Sequence, residues 1–394
     1  MGFSAKRKRV VFVTRRMVMG GIEKALISML ESMQKDEYDI TVLVMGRGGE
    51  LIDEIPNHVK VKCLYGNEKS IIEKIWNYTK RGNFINAFRI GWYTVLAKKA
   101  KTVYEQEMYQ SKMLPIAETE YDLAIAYHTP ASFPVVYVMN NIKAKVKAAW
   151  IHSDISQYER ELQSYKNFYR RYDRIFCVSK FAMNKFVEVY PDLKGKASVF
   201  YNILDQKRLN LMSVKDEGFN DKFDGIRILT VGRLTSQKGQ DIIPSILMKL
   251  KSKNYNIKWY CIGDGESRSK LESMIKKYDL EEYLVLLGTK NNPYPYIKQC
   301  DIYVQPSRHE GYCITLAEAR AFNKPIVTTD FVGAREQIEN GQDGLITKFD
   351  ENEIYSAMEN LISNKALCDK FRSNLNRKSV NTTAEINKIY DCLS

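Results

Sequence analysis

Long apolar runs are missing from this chain of 394 residues. A membrane-spanning helix needs about 18 consecutive apolar residues, and no such stretch occurs. The cationic Lys6-Arg7-Lys8-Arg9 runs straight into Val10-Val11-Phe12-Val13, with neither the apolar region nor the small-residue cleavage site of a secretion signal. Paired cysteines are missing as well. Cys63, Cys177, Cys261, Cys300, Cys313, Cys368 and Cys392 are odd in number, scattered and never in CxxC spacing, which argues against a disulfide framework or a zinc site and points to a reducing cytoplasm. Histidine is scarce, and His58, His128 and His309 show no mutual spacing that would recruit a metal. No helix-turn-helix, RNP-like or finger spacing accompanies the basic residues, so nucleic acid is a poor partner. The expectation is a cytoplasmic protein without metal or cofactor, at most peripheral on the cytoplasmic face of the inner membrane.

What the chain has is basic charge, unevenly placed. Residues 1–205 hold 32 Lys/Arg against 22 Asp/Glu, and residues 206–394 hold 28 against 25. A basic first half suits an anionic surface such as lipid headgroups or a pyrophosphate-linked acceptor; simple solubilising charge describes it equally.

Short β-branched runs alternate with helical patterns, starting at Arg9–Thr14 and recurring at 40–45, 59–64, 122–126, 147–151, 174–178 and 197–201. The alternation resumes at 226–232, 257–263, 284–288, 301–305, 325–328 and 344–347. Such alternation predicts parallel βαβ units, hence an α/β protein of two Rossmann-like domains. The expected division is 1–205, 206–380, and a final helix in 381–394. Each sheet should bind ligand outside the carboxyl ends of its strands, so two facing sheets would share one cleft. An insertion over about 67–115 mixes Trp76, Tyr78, Phe84, Phe88, Trp92 and Tyr93 with Lys74, Lys80, Arg81, Arg89 and Lys98. That mixture suits a membrane interface or a lipid-carried acceptor, and equally a helical hairpin packed on the core.

Glu310 and Glu318 stand eight positions apart in His309-Glu310-Gly311-Tyr312-Cys313-Ile314-Thr315-Leu316-Ala317-Glu318. A carboxylate in a glycine turn, followed by a helix start and a second carboxylate, can grip two hydroxyl-bearing ends of one ligand around a central anion. Thr315-x-x-Glu318 also reads as a capping box, whereas Glu310 has no local structural duty. Upstream, Ile228–Gly232 leads into Arg233 and Lys238, two cations able to offset a diphosphate; the alternative is a surface ion-pair partner and a helix-start lysine. Gly20-Gly21 follows the first strand and opens a helix, which lets a phosphate or sugar approach the backbone, although an ordinary loop-to-helix turn needs no ligand. His152, followed by Ser153-Asp154, ends a strand, where it can contact substrate or move a proton, or be satisfied by its neighbours.

Together these pieces resemble the retaining glycosyltransferases of the GT4 family, which have the GT-B architecture of two facing Rossmann-like domains with the ligand cleft between them. Glu310-x7-Glu318 looks like that family's EX7E signature, and Gly232-Arg233-Leu234 through Lys238-Gly239 is similar to its diphosphate-binding loop. Gly263-Asp264-Gly265-Glu266, Pro306-Ser307 and Gly341-x-x-Gly344 fall where the family has comparable turns. The resemblance implies that Glu318 holds the ribose, and that Arg233, Lys238, Gly20 and Gly21 hold the donor diphosphate. It also implies that Glu310 with Gly311, Tyr312, Cys313 and Ile314 holds the transferred sugar, that His152 lies near the reacting carbon, and that the last helix crosses back to the first domain. Cys313 and Ile314 stand where relatives often have glycine or proline.

The implied activity is metal-independent, retaining transfer of a hexose-type sugar from a nucleotide sugar, a UDP-sugar first, to a glycan or lipid-linked oligosaccharide in surface polysaccharide biosynthesis. The nucleotide sugar is a co-substrate. Two other readings remain: a nucleotide-sugar epimerase on the same fold, and a non-enzymatic basic module on membrane or nucleic acid.

Overall fold

A computed structural model describes residues 7–46, 48–64, 70–153, 155–378 and 380–394. Lys6, the start of the insertion at Asn67, and Asp154 lie outside the described residues. The chain divides into two compact units, Met1–Ile203 with Ala384–Ser394, and Leu204–Thr383.

The first unit holds a seven-stranded sheet of β1 (Lys8–Thr14), β2 (Tyr38–Val44), β3 (Lys60–Cys63), β4 (Glu120–Ala126), β5 (Lys143–Ile151), β6 (Arg174–Cys177) and β7 (Ala197–Val199). The order is β3-β2-β1-β4-β5-β6-β7, and every pair is parallel. Parallel strands are covered on both faces, so they read as unbroken apolar runs. Val10, Val11, Phe12 and Val13 are accordingly all buried. Expected and observed strands coincide to within a few residues, the widest gap being at β5, which begins at Lys143 rather than at Lys147. Its first half, Lys143-Ala144-Lys145-Val146-Lys147, is only partly buried and charged at alternate positions, so it lacks the apolar signature of the strand's centre.

The second unit repeats the plan with β8 (Ile226–Val231), β9 (Ile257–Ile262), β10 (Leu284–Leu286), β11 (Ile302–Gln305), β12 (Ile326–Thr329) and β13 (Leu345–Thr347), all parallel in the order β10-β9-β8-β11-β12-β13. Successive strand residues feed opposite faces: Ile228, Trp259, Ile302 and Val304 enter one core, while Leu229, Tyr260, Tyr303 and Ile326 enter the other. In each sheet the winding direction reverses once, between β1 and β4 and between β8 and β11. Loops leaving the carboxyl ends of such a pair diverge and leave a crevice, the usual ligand position in open α/β sheets.

Helix α1 (Gly21–Ser32) follows β1 and buries Ala25, Leu26, Ile27, Met29 and Leu30. The insertion contains α2 (Ile71–Lys80), α3 (Phe84–Lys99) and α4 (Val103–Met113), then α5 (Phe133–Asn141) and α6 (Glu159–Tyr169) flank the sheet. Instead of a hairpin there are three helices, and α4 is the one tied to the core: Asn141 Nδ2 donates to the carbonyls of Ser111 at 2.9 Å and Leu114 at 3.1 Å. Residues Ala384–Ser394 belong to the first unit as a short 3-10 turn and helix. There Tyr390 stacks on Tyr38 with ring centres 4.9 Å apart, and Lys8 Nζ donates to the Leu393 carbonyl at 2.9 Å.

Candidate functional site

In the second unit the two loops singled out by the sequence leave adjacent strands at the reversal of the sheet, Gly232–Gly239 after β8 and Pro306–Cys313 after β11. Arg308 ties them, donating from its backbone N–H to the Gln237 carbonyl at 2.8 Å and pairing in bidentate fashion with Asp241 at 2.7 and 2.9 Å. Gly239 makes the approach possible. Its φ is +72°, and a Cβ there would lie 1.8 Å from the Pro306 carbonyl oxygen. Gly239→Ala is therefore expected to cost more than about 1–2 kcal/mol, combining left-handed backbone strain with a direct clash. Differential scanning fluorimetry showing an unchanged Tm for that variant would contradict the closeness of the two loops.

The loops bring Lys238 and Glu310 together. Lys238 Nζ lies 2.5 Å from Glu310 Oε1, with the lysine side chain 18% exposed and the glutamate 8%. Ser307 Oγ donates to the same oxygen at 2.8 Å and itself receives a hydrogen bond from Gln305 Nε2 at 2.8 Å. Gln305 Oε1 is in turn held by Tyr303 Oη at 2.8 Å and Thr315 Oγ1 at 3.1 Å. Burial pulls the Lys238 ammonium down, but the Glu310 charge, with smaller help from Cys313 and the hydrogen bond to Glu310, holds it above its ordinary value, so Lys238 stays charged. Glu310 is thus paired, contrary to the expectation of an unengaged carboxylate; its partner is 72 residues away, beyond any local pattern. All these bonds fall on Oε1, and Oε2 accepts no hydrogen bond among the described residues. The carboxylate is locked by one oxygen and presents the other.

Arg233 has the opposite standing. It is exposed, with no side-chain partner among the described residues, yet close enough for its charge to act on Lys238. The two cations expected to offset a diphosphate together therefore differ: one is balanced by Glu310, and one is uncommitted.

The helix Ile314–Ala321 starts where the glycine turn ends. Its N-cap is Cys313, with a left-handed φ of +52° and no capping side-chain bond, so the N–H groups of the first turn have no side-chain cap. The capping box does not form, because Thr315 sits inside the helix and bonds to Gln305, while Glu318, 7% exposed, accepts from Tyr294 Oη at 2.9 Å. Left-handed backbone favours glycine, which explains why glycine suits this position and what Cys313 gives up. Its thiol is inert, pushed up to about 12 by burial first and the Glu310 charge second.

The remaining candidates lie in the first unit. Gly20 is extended, at φ −168°, and the place of its Cβ is taken by the Glu23 carboxylate, whose Oε2 would be 2.5 Å away. The Glu23 carboxylate therefore lies beside the turn assigned to a phosphate. Gly21 is the first residue of α1 and is exposed. His152 follows β5, is 9% exposed, and packs edge-on against Tyr127 at 4.3 Å. Its Nε2 is buried without a partner among the described residues. Burial and, after it, the neighbouring His128 hold His152 well below its ordinary pKa; burial and Arg15 hold His128 at about 4. Both rings are neutral near pH 7. Sequence reasoning missed Glu107, a buried carboxylate on α4 that accepts from Tyr165 Oη at 2.5 Å and is raised to about 6 by burial, against the opposing Tyr165 bond and Arg15 charge. It looks like one more surface glutamate in a polar helix, and no local signal marks it.

These shifts set a pH dependence for the first unit. Unfolded histidines gain a proton near pH 6.5, whereas folded His128 waits until about 4. Between those values the unfolded chain binds more protons, so stability falls on acidification, by about 2 kcal/mol for His128 alone from pH 7 to pH 5. Glu107 acts oppositely between about 6 and 4.5, since the folded state takes up its proton first and recovers part of the loss. The Tm of the first unit is expected to drop from pH 7 to pH 5, and to drop less in His128→Gln. Parallel Tm–pH curves for the two proteins would contradict this.

Among the described residues, no three His, Cys, Asp or Glu side chains are grouped as a metal site requires, and no helix is long and apolar enough to cross a membrane.

Residues 215–378 match the family model for glycosyl transferases group 1. The chain is 30% identical over 242 residues to an uncharacterized glycosyltransferase of Methanocaldococcus jannaschii, covering 56% of this chain and 59% of that protein. It is 29% identical over 223 residues to the N-acetylgalactosamine-N,N'-diacetylbacillosaminyl-diphospho-undecaprenol 4-alpha-N-acetylgalactosaminyltransferase of Campylobacter jejuni, covering 56% and 58%. These matches span somewhat under two thirds of either relative. In fold the chain is similar to HepE of Anabaena, solved in complex with UDP-glucose, with a TM-score of 0.70 at 17% identity over 98% of this chain and 99% of that one.

Proposed function

We propose that this chain, whose residues 215–378 match the glycosyl transferases group 1 model, is a retaining GT-B glycosyltransferase of the GT4 type. It moves a hexose-type sugar from a UDP-sugar to a hydroxyl of a glycan or lipid-linked oligosaccharide in surface polysaccharide biosynthesis, without a metal. The observation that carries the reading is the half-committed carboxylate of Glu310, beside an uncommitted Arg233 and a helix start, at the reversal of the second sheet. A diphospho-undecaprenol-linked acceptor in the name of the Campylobacter relative supports the acceptor class, and UDP-glucose in HepE supports the donor.

The chemistry follows from where charge develops. As the bond from the anomeric carbon to the diphosphate breaks, the sugar becomes cationic and the leaving group gains negative charge. Arg233 and the N–H groups opening the helix Ile314–Ala321 stabilise that leaving group, with Lys238 contributing what Glu310 leaves unbalanced. Glu310 Oε2 accepts from a sugar hydroxyl and fixes the ring's orientation, and Glu318 takes the ribose hydroxyls. The acceptor hydroxyl attacks the anomeric carbon from the leaving-group face, and its proton passes to a diphosphate oxygen. The neutral, buried His152 is suited to contact and not to proton uptake near pH 7.

Thermal unfolding with UDP-, GDP- and ADP-sugars tests the donor. A UDP-sugar at 100 times its dissociation constant adds about 2.7 kcal/mol to the stability of the second unit. No shift with any nucleotide sugar would overturn the reading. So would a change of the sugar's configuration on incubation without acceptor, which marks an epimerase.

A further inference from the structure

Helices α2 and α3 present an outer face that nothing among the described residues of the chain covers. Helix α2 buries no residue, and α3 buries Ala87, Ile90 and Ala97 on the side that meets its neighbours. On its other side Ile85, Phe88, Trp92 and Val95 are 83%, 73%, 55% and 50% exposed. Their spacings of three, four and three residues keep them on one stripe of the helix. Helix α2 adds Ile72 and Trp76, four apart, at 79% and 58%. Phe88 and Trp92 stack at 6.2 Å. A helix apolar on two opposite sides is one that is covered on both. Large apolar side chains exposed together along one helix stripe mark an interaction surface.

Charge says what covers it. Residues 70–101 contain seven Lys/Arg and a single acid, Glu73. Lys80 and Arg81 are exposed just before α3, Lys98 and Lys99 are its exposed last two residues and Lys101 follows it, so cations stand at both ends of a helix about 24 Å long with the apolar stripe between them. Lys80 also lies 5.3 Å over the Trp76 ring, keeping an ammonium beside the aromatic surface. A two-fold contact with a second copy would press like charge against like, whereas a bilayer with anionic headgroups answers both features at once. We propose that the outer face of α2 and α3 seats this protein on a membrane containing anionic phospholipid, the apolar stripe entering the boundary of the acyl chains while the flanking cations meet phosphates. The inference does not depend on the transfer reaction.

Vesicle flotation of the full chain tests it, with phosphatidylcholine alone against phosphatidylcholine containing phosphatidylglycerol. Binding is expected to the anionic vesicles and to weaken with salt. Tryptophan emission should shift to the blue on binding, because Trp76 and Trp92 are exposed while Trp150 and Trp259 are already buried. Phe88→Ser with Trp92→Ser should abolish flotation, and Lys98→Glu with Lys99→Glu should weaken it by roughly 25-fold or more, at about fivefold per charge. Both variants alter exposed side chains and should retain the wild-type Tm. Wild-type protein that stays behind with anionic vesicles, or variants that float as well as it does, would overturn the proposal. A dimer that Phe88→Ser with Trp92→Ser splits, without vesicle binding, would replace the bilayer with a second copy. Stabilisation of the second unit by a UDP-sugar is a separate readout, so failure here and failure of the proposed reaction can be told apart.

Discussion

Glu310→Ala is expected to lower kcat for sugar transfer by roughly a hundred- to a thousandfold, the usual cost of removing one oriented polar group from a transition state. The geometry makes the loss specific. Lys238 and Ser307 hold Oε1, so Oε2 stands in place before any ligand arrives, and alanine removes a group that needs no reorganisation to act. Alanine also strands the Lys238 ammonium, which at 18% exposure still reaches water, so the fold should survive with a modestly lower Tm. Glu310→Gln separates two chemistries. An orienting residue keeps its shape as glutamine and should retain a measurable fraction of activity. A nucleophile would leave glutamine as inactive as alanine, and wild-type enzyme would carry a glycosyl adduct visible by intact mass spectrometry. Initial rates of both variants, measured beside their thermal transitions, decide the matter; turnover near wild type in Glu310→Ala would remove Glu310 from the reaction.

Lys238→Ala and Arg233→Ala should fail in different ways, although the sequence presents them as one pair of cations. Lys238→Ala leaves Glu310 as a nearly buried carboxylate without its counter-charge. Breaking such a pair costs about 3–5 kcal/mol when both partners are fully buried, so about 2–4 kcal/mol fits this partly exposed lysine, or about 5–10 °C in a unit of this size. The double variant Lys238→Ala with Glu310→Ala should regain part of that loss, since no charge is then stranded. Arg233→Ala breaks no recorded bond and should leave the Tm unchanged. Its effect falls on the anion: loss of a forked, charge-assisted contact weakens UDP binding by about 1.5–3 kcal/mol, or roughly ten- to a hundredfold. Calorimetric titration of UDP into each variant, set beside its Tm, checks the contrast. Equal Tm losses for the two would show that Arg233 has a partner in solution.

Much of the architecture is legible along the chain because parallel strands are buried on both faces. A run such as Val10-Val11-Phe12-Val13, closed by a turn and followed by a helical period, carries its own assignment. Thirteen such runs suffice to give two doubly wound sheets. The lapses come where burial is partial. The start of β5 at Lys143 is a half-exposed stretch with alternating lysines, and the insertion, dense in aromatic residues, suits an interface and a core hairpin alike, whereas in the structure Phe88 and Trp92 face outward. Composition reports how apolar a helix is and cannot report which of two apolar sides meets the core.

For the candidate site, the sequence by itself determined the inventory: a carboxylate at 310 and cations at 233 and 238 on loops leaving strands, and a second carboxylate at 318 in the helix that follows. It determined that much because strand ends and glycine turns are local features, marked by residues next to one another. Only the tertiary structure decided who holds whom. The β8–β11 neighbourhood brings Lys238 to Glu310 across 72 residues and leaves Arg233 open, and Glu318 accepts from Tyr294. The same holds for Glu107, His128 and His152, whose protonation is set by burial among partners distant in sequence. Pairing and desolvation are properties of three-dimensional neighbours, and strand order, which no local pattern encodes, is what chooses them.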